Sequence, residues 1–295
     1  MSWGLATVED ADGVVRPAAY RLSDGVHVEL PVRYPGVVEL LDDWDVAEPV
    51  LRGFDPASAE PLPGARPLAP VRCPRKVIGA GANYRDHVLE MTGNEPSEGW
   101  TSWFFLSPPT TTVVGPGADV LIPSDPAQQI DWEAELAVVV SRRGRDIAVE
   151  DVDRHVAGFV IANDVTARGM LAREHYPHPA FAFDWIAAKS QDTFWPIGPA
   201  VVPAWLVPDP DDLAIRLWVN DELRQDSRTS NLIIGWRRLV SDISKRVTLE
   251  PGDVIGTGTP AGVGAPKGTF LHDGDIVRIE IDGLGTLVNR IVDRG

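Results

Sequence analysis

The stretch Asp131-Trp132-Glu133-Ala134-Glu135-Leu136 runs directly into Ala137-Val138-Val139-Val140 and places two carboxylates at the mouth of what otherwise reads as a fully buried strand. Side chains alternate along a strand, so Glu133 and Glu135 point the same way, onto the face that Ala137 and Val139 continue into the core. Holding two like charges together out of water costs several kcal/mol or more unless something compensates them. A divalent cation is the natural compensator. A second apolar run, Gly158-Phe159-Val160-Ile161-Ala162, also ends in acid, at Asn163-Asp164. A third oxygen ligand from a neighbouring strand suits a hard ion such as Mg²⁺, which keeps positions open for water and substrate. The competing reading is that all three acids are solvated at strand ends, as most charges are.

The 295 residues carry a formal charge of -16, with no Lys/Arg-rich run to neutralise phosphates, which argues against nucleic acid and anionic membranes as partners. The N-terminal residues lack a basic region followed by an apolar stretch, and no run reaches about 18 apolar residues. A soluble, cytoplasmic protein is the expectation. Cys73 is the only cysteine, which excludes an internal disulfide and a multi-thiolate zinc site. It precedes Pro74 in a proline-rich connector, where a structural role fits better than a nucleophilic one.

Six prolines between Asp55 and Pro74 mark an extended connector. The boundary drawn there leaves residues 1–70 as a small N-terminal β-rich unit with its linker, weakly helical near Val37–Leu41, and residues 71–295 as the catalytic unit. Beyond the connector the pattern is mostly short strands, with half-buried alternation clearest in Leu213–Val219 and Ile276–Ile281. Helices are expected at Val152–His155, Thr166–Glu174 and Gly235–Lys245. With neither a repeat nor a strand-helix alternation, the fold class is mixed β (α+β), a complex β-roll or barrel with a few short helices rather than a doubly wound sheet.

Four further constellations bear on chemistry. His87 and Glu90 lie three residues apart, neighbours on a helical turn, where a carboxylate would orient an imidazole as a general base for water. On spacing alone a surface ion pair is the better explanation, and Asp86 beside the two residues strengthens it. The polar, Gly- and Pro-containing segment Met91–Gly99 fits a lid. Gly252–Gly264 matches neither the dinucleotide nor the Walker pattern, because Ala261 replaces the third glycine and no Gly-Lys-Ser/Thr occurs. Such a loop brings backbone amides close to an anionic ligand, or simply turns between strands. Lys189 follows small apolar residues, so it is either solvated or buried beside an anion. His175-Tyr176-Pro177-His178 has a proline inside it and reads as a loop, not a ligand pair.

Taken in order, Val77-Ile78-Gly79-Ala80-Gly81-Ala82-Asn83-Tyr84-Arg85-Asp86-His87, the Asp131–Leu136 stretch, Gly158–Arg168, Lys189–Pro199, Pro251–Ile255 and Thr257–Gly264 resemble the fumarylacetoacetate hydrolase family over about residues 70 to 292. The resemblance implies a mixed β-sandwich roll, usually a homodimer, with Glu133, Glu135 and Asp164 holding Mg²⁺ or Mn²⁺. It also implies a water-activating dyad of His87 and Glu90 on a lid, Lys189 beside the metal, and substrate contacts from Tyr84, Arg168, Gly258 and Thr259. Two positions depart from the family pattern: Ser107 stands where many relatives carry a basic residue, and Gly169 where an acid often follows Arg168. The segment Glu174–Trp185 also looks longer than usual.

The leading expectation is hydrolytic carbon-carbon cleavage of an acylpyruvate or other 2,4-diketo acid through a metal-stabilised enolate. The alternative is isomerisation or decarboxylation of a hydroxymuconate- or oxaloacetate-like diacid at the same site. A third reading, of a different class, is a silent dimer that binds metal and a small dicarboxylate.

Overall fold

The computed structural model describes residues 2–295. Among them the chain first forms β1 (Trp3–Glu9), β2 (Val15–Arg21), β3 (His27–Val28), α1 (Val37–Asp42), α2 (Trp44–Arg52), β4 (Arg66–Leu68), β5 (Val77–Gly81), α3 (Arg85–Thr92) and β6 (Trp103–Ser107). The middle contributes β7 (Val113–Val114), β8 (Asp119–Ile122), β9 (Ile130–Asp131), β10 (Ala134–Val140), β11 (Val156–Asn163), β12 (Thr166–Ala167), α4 (Arg168–Leu171), α5 (Trp185–Lys189) and β13 (Trp195–Pro203). The last third adds β14 (Ala214–Val219), β15 (Glu222–Arg228), α6 (Trp236–Ser244), β16 (Val254–Gly256), β17 (Ile276–Ile281) and β18 (Gly285–Asp293).

The large sheet runs β3-β2-β1-β13-β11-β10-β16-β5-β6, with β4 beside β1 and β7 beside β13, and the smaller sheet runs β15-β14-β17-β18-β8. The result is the mixed, strand-rich fold with few helices that the sequence implies, built as packed sheets and not as a barrel. The four strands of residues 1–70 join the large sheet through the β1–β13 pairing, Leu5 opposite Val201.

Every residue of β10 and β11 is buried, and their two faces enter different cores. Leu136, Val138, Phe159 and Ile161 pack with Ile215, Ile279 and Leu287 of the smaller sheet. Ala137, Val139, Val160 and Ala162 pack with α1 and α2 through Leu40, Trp44 and Leu51. Coverage on both sides explains why these strands read as continuous apolar runs rather than alternating ones. It also fixes the direction of the acids, because Glu135 shares the Ala137 face. At Gly158 a Cβ would lie 2.0 Å from Val202 O, so only glycine permits β13 to approach β11 this closely.

The expected Gly235–Lys245 helix is α6, with Trp236, Leu239, Val240 and Ile243 buried and Trp236 edge-on to Phe159 at 5.1 Å. The expected Val152–His155 helix is a 3₁₀ segment, Val149–His155. The Thr166–Glu174 helix does not form as expected. Thr166 pairs with Asp131 in the short β12–β9 ladder, and helix is confined to Arg168–Leu171.

Candidate active site

The β10–β11 register puts Glu135 opposite Ala162 and Ala134 opposite Asn163. One step further, Asp164 N–H donates to Glu133 O at 2.9 Å, and Asn163 Oδ1 accepts from Glu133 N–H at 3.0 Å. Glu133 and Asp164 therefore face each other across the pair, with Glu135 two residues along. One carboxylate oxygen from each of the three lies within 4.8 Å of the others, and all three residues are buried.

Two cations hold this cluster. Lys189 Nζ donates to Glu133 Oε2 at 2.6 Å and to Asp164 Oδ2 at 2.7 Å. Arg168 spans Asp131 Oδ2 at 2.9 Å through Nε and Glu133 Oε1 at 2.5 Å through Nη2. Asp131 is fully buried and also accepts backbone N–H groups from Trp132, Gly264 and Ala265. The β9–β12 pairing is what places Arg168 at Asp131, and α5, capped by Asp184 accepting from Ala187 N–H, places Lys189 at its last turn.

The electrostatics follow from this count. Burial pushes Glu133 up, but Lys189 and Arg168 outweigh it and hold the carboxyl at about 2. Burial and the neighbouring Glu133 raise Asp164 to about 7 despite Lys189. Burial, then Asp164 and Glu133, raise Glu135 well above the usual carboxylate range. With all four ionised, Asp131, Glu133, Glu135 and Asp164 would set four carboxylates against the two cations and leave two negative charges in a buried space, which is why Glu135 and Asp164 are pushed toward their protonated forms. One divalent cation would neutralise them. Asp164 Oδ1 is buried without a hydrogen-bond partner, a lone pair of the kind such an ion takes up, and an all-oxygen donor set suits a hard ion.

A cavity of about 260 Å³ opens over the cluster. Glu133, Asp164, Arg168, Lys189, His87 and Thr259 line its polar end. Burial pulls the His87 imidazole down to about 4, with Arg168 and Lys189 reinforcing it and Glu133 opposing, so His87 is neutral at neutral pH. Its Nδ1 has no hydrogen-bond partner.

Three expected site residues are placed differently. Glu90 Oε2 accepts from Gly262 N–H at 2.9 Å, which ties one carboxylate oxygen to the glycine-rich loop, and His87 Nδ1 has no hydrogen-bond partner. Gly258 N–H donates to Glu135 Oε2 at 3.1 Å, holding a candidate metal ligand rather than facing the cavity. The Tyr84 ring is fully buried, its hydroxyl unpartnered, and it does not line the cavity; burial and the nearby Glu135 raise its pKa. Thr259 is at the cavity, its Oγ1 accepting from Gln225 Nε2 at 2.8 Å.

The two departures have structural reasons. A Cβ at Gly169 would lie 1.9 Å from Ala127 O, leaving no room for an acid. Ser107 is buried, donates to Lys189 O at 3.0 Å and accepts from Trp195 Nε1 at 3.0 Å, so it supports the backbone under Lys189. Sequence reasoning missed Asp131 as the anchor of Arg168, although its place in the acidic motif was a signal. It also missed Gln225, which accepts from Ala134 N–H and holds Thr259 from a polar strand without any motif.

Fold and site together define a mixed-β protein with a candidate divalent-cation centre opening on a cavity of small-molecule size. Comparison fixes the family. The fumarylacetoacetate (FAA) hydrolase C-terminal family matches residues 76–292, and the chain belongs to the fumarylacetoacetate hydrolase family. The mitochondrial oxaloacetate tautomerase fahd2 of Xenopus laevis is 41% identical over 227 residues, covering 76% of this chain and 68% of its own. The structure of 5-carboxymethyl-2-hydroxymuconate delta-isomerase from Mycobacterium smegmatis matches with a TM-score of 0.74 and 34% identity over 99% of both chains. That of maleylpyruvate hydrolase from Sphingobium sp. SYK-6, in complex with manganese(II) ion and pyruvate, matches with a TM-score of 0.76 and 28% identity over 98% of this chain and 99% of its own. The relatives are enzymes, and tautomerase and isomerase names stand beside hydrolase ones. No helix among the described residues is long and apolar enough to cross a membrane.

Proposed function

We propose that the chain is a divalent-metal-dependent tautomerase or isomerase of an enolisable 2-oxo acid, moving a proton between the 2-oxygen and C3 without consuming water. The observation that supports this reading over hydrolysis is that Glu90 Oε2 accepts from Gly262 N–H and forms no hydrogen bond with His87, so the water-activating dyad is not assembled. The oxaloacetate tautomerase and hydroxymuconate delta-isomerase among the relatives support it as well. Carbon-carbon hydrolysis, the leading expectation from the sequence, has less support.

Glu133, Glu135 and Asp164 would hold the cation, Mg²⁺ or Mn²⁺ by their oxygen chemistry. When bound, it supplies Lewis-acid stabilisation for a substrate carboxylate and its adjacent oxygen. Lys189, fixed between Glu133 and Asp164, adds positive charge where the 2-oxygen becomes anionic. His87, neutral and facing the cavity, would take the enol O–H proton while solvent water delivers a proton to C3; the C2=C3 pair forms the new C3–H bond, the oxygen pair completes C2=O, and His87 returns its proton to solvent, with no change of mass. Arg168 fixes Glu133 and excludes other rotamers of that carboxylate.

Chelation with EDTA is expected to abolish turnover of an enolpyruvate-type substrate, and added Mg²⁺ to restore it. His87→Ala is expected to lower kcat about 100-fold while Mn²⁺ still binds. A full rate under either condition overturns the proposal.

A further inference from the structure

The rest of the cavity lining is largely aromatic, beginning at Phe105, whose ring centroid lies 5.5 Å from Lys189 Nζ. Met91, Trp100, Trp103, Phe105, Leu171 and Trp185 form its wall. Phe105 and Trp185 lie stacked, with ring centroids 5.4 Å apart and planes within 12°, and Trp100 and Trp103 are 6.3 Å apart. The sequence of β5 makes room for these rings. Gly79 pairs with Phe105 and Gly81 with Trp103 across the β5–β6 ladder. A Cβ at either glycine would come within 2.1 Å of the facing ring. Two alternate glycines on one strand thus let two aromatic side chains fold back over the backbone and pave the cavity wall, at the usual cost of glycine in a strand.

The cations of the cavity are already committed. Among the described residues lining it, Lys189 bonds Glu133 and Asp164, and Arg168 bonds Asp131 and Glu133. On the bordering segments Arg85 pairs with Glu95 and Arg173 with Asp184. A second substrate carboxylate against these rings would find no uncommitted counter-charge, whereas an aryl group there would gain both apolar burial and ring packing.

We propose that the 2-oxo acid taken by this site carries an apolar, aryl-type substituent at its distal end rather than a second carboxylate. This rests on the reading of the site as a metal-dependent 2-oxo acid tautomerase, which it narrows to a substrate class. It separates the chain from what the name of its oxaloacetate-handling relative says of that relative.

The test uses the Mn²⁺-loaded protein and two non-reacting probes with one chelating head group, N-phenyloxamate and N-oxalylglycine, compared by calorimetry. N-phenyloxamate is expected to bind at least about tenfold more tightly. Trp185→Ala is expected to shrink that ratio by weakening the phenyl probe. Trp103→Arg, at a ring that is 44% exposed and so tolerant of change, is expected to shrink it from the other side by strengthening N-oxalylglycine. Equal affinities, or tighter N-oxalylglycine in the unsubstituted protein, overturn the inference. Enol-phenylpyruvate and enol-oxaloacetate are then assayed for tautomerisation. Failure of both with a retained phenyl preference overturns the reaction while leaving the ligand class standing; failure to bind either probe overturns both.

Discussion

The ammonium of Lys189 lies 2.7 Å from Asp164 Oδ2 while also reaching Glu133 Oε2, so one buried cation ties together the ends of β10 and β11. The carboxylates are thereby organised before any ion arrives. That arrangement costs stability, since buried ion pairs rarely repay their desolvation in full, and it is consistent with a site kept for binding.

Glu135 is the carboxylate of the three that Lys189 does not bond, and burial holds it toward its protonated form. Glu135→Gln, nearly isosteric, is expected to weaken Mn²⁺ binding about 100-fold or more with little change in thermal stability. Calorimetric titration with Mn²⁺ checks this; unchanged affinity would remove Glu135 from the ligand set.

Arg168 acts through its fork, one nitrogen on Asp131 and another on Glu133. Arg168→Lys keeps the charge but cannot make both contacts. Metal affinity is expected to fall about 10- to 100-fold, in the range seen when residues behind a ligand are removed. Titration at several ionic strengths separates loss of geometry from loss of charge, since the lysine variant should show the same salt dependence as the parent.

Gly256 faces β10 beside Ala137, and a Cβ there would lie 2.2 Å from Glu135 Oε2 and 2.9 Å from the Trp195 ring. Gly256→Ala is expected to cost about 1–3 kcal/mol by overpacking and to displace Glu135. Denaturant melts and Mn²⁺ titration report the two effects separately. Retained affinity would show that Glu135 tolerates the shift.

His87 links the cavity to pH. Burial holds it at about 4, below the roughly 6.5 of an exposed imidazole. Between those values the unfolded chain binds the extra proton, so its contribution to stability is complete above about pH 6.5 and is lost as pH falls toward 4. At pH 5 the loss is about 2 kcal/mol, about 3 °C in melting temperature for a chain of this size. The metal-free His87→Gln variant lacks this term. Its melting temperature relative to the parent is expected to rise between pH 7.5 and pH 5, and parallel curves would contradict a neutral buried imidazole.

The sequence disclosed the parts of this site that depend on local pattern. Glu133 and Glu135 at the start of an apolar run, with Asp164 at the end of another, were legible because alternation and burial conflict there. What it hid depends on distant partners. Lys189 could be solvated until β10 and β11 bring Glu133 and Asp164 to it. β13 went unread as a strand because Pro196, Pro199 and Pro203 are turn signals, yet all nine of its residues are buried in the large sheet. β15 was hidden by its polarity, since Gln225 and Ser227 turn inward to hydrogen-bond where apolar residues would be expected. The His87–Glu90 spacing suggested a pair, but the amide of Gly262, far away in sequence, competes for the carboxylate and ties one of its oxygens.

The most direct measurement follows an enolpyruvate-type substrate by proton NMR in D₂O with Mg²⁺-loaded protein. Conversion to a keto acid of unchanged carbon skeleton, with deuterium entering at C3 and the rate lost on chelation, is the result expected. Two shorter carboxylates, or an undiminished rate in excess EDTA, would contradict it.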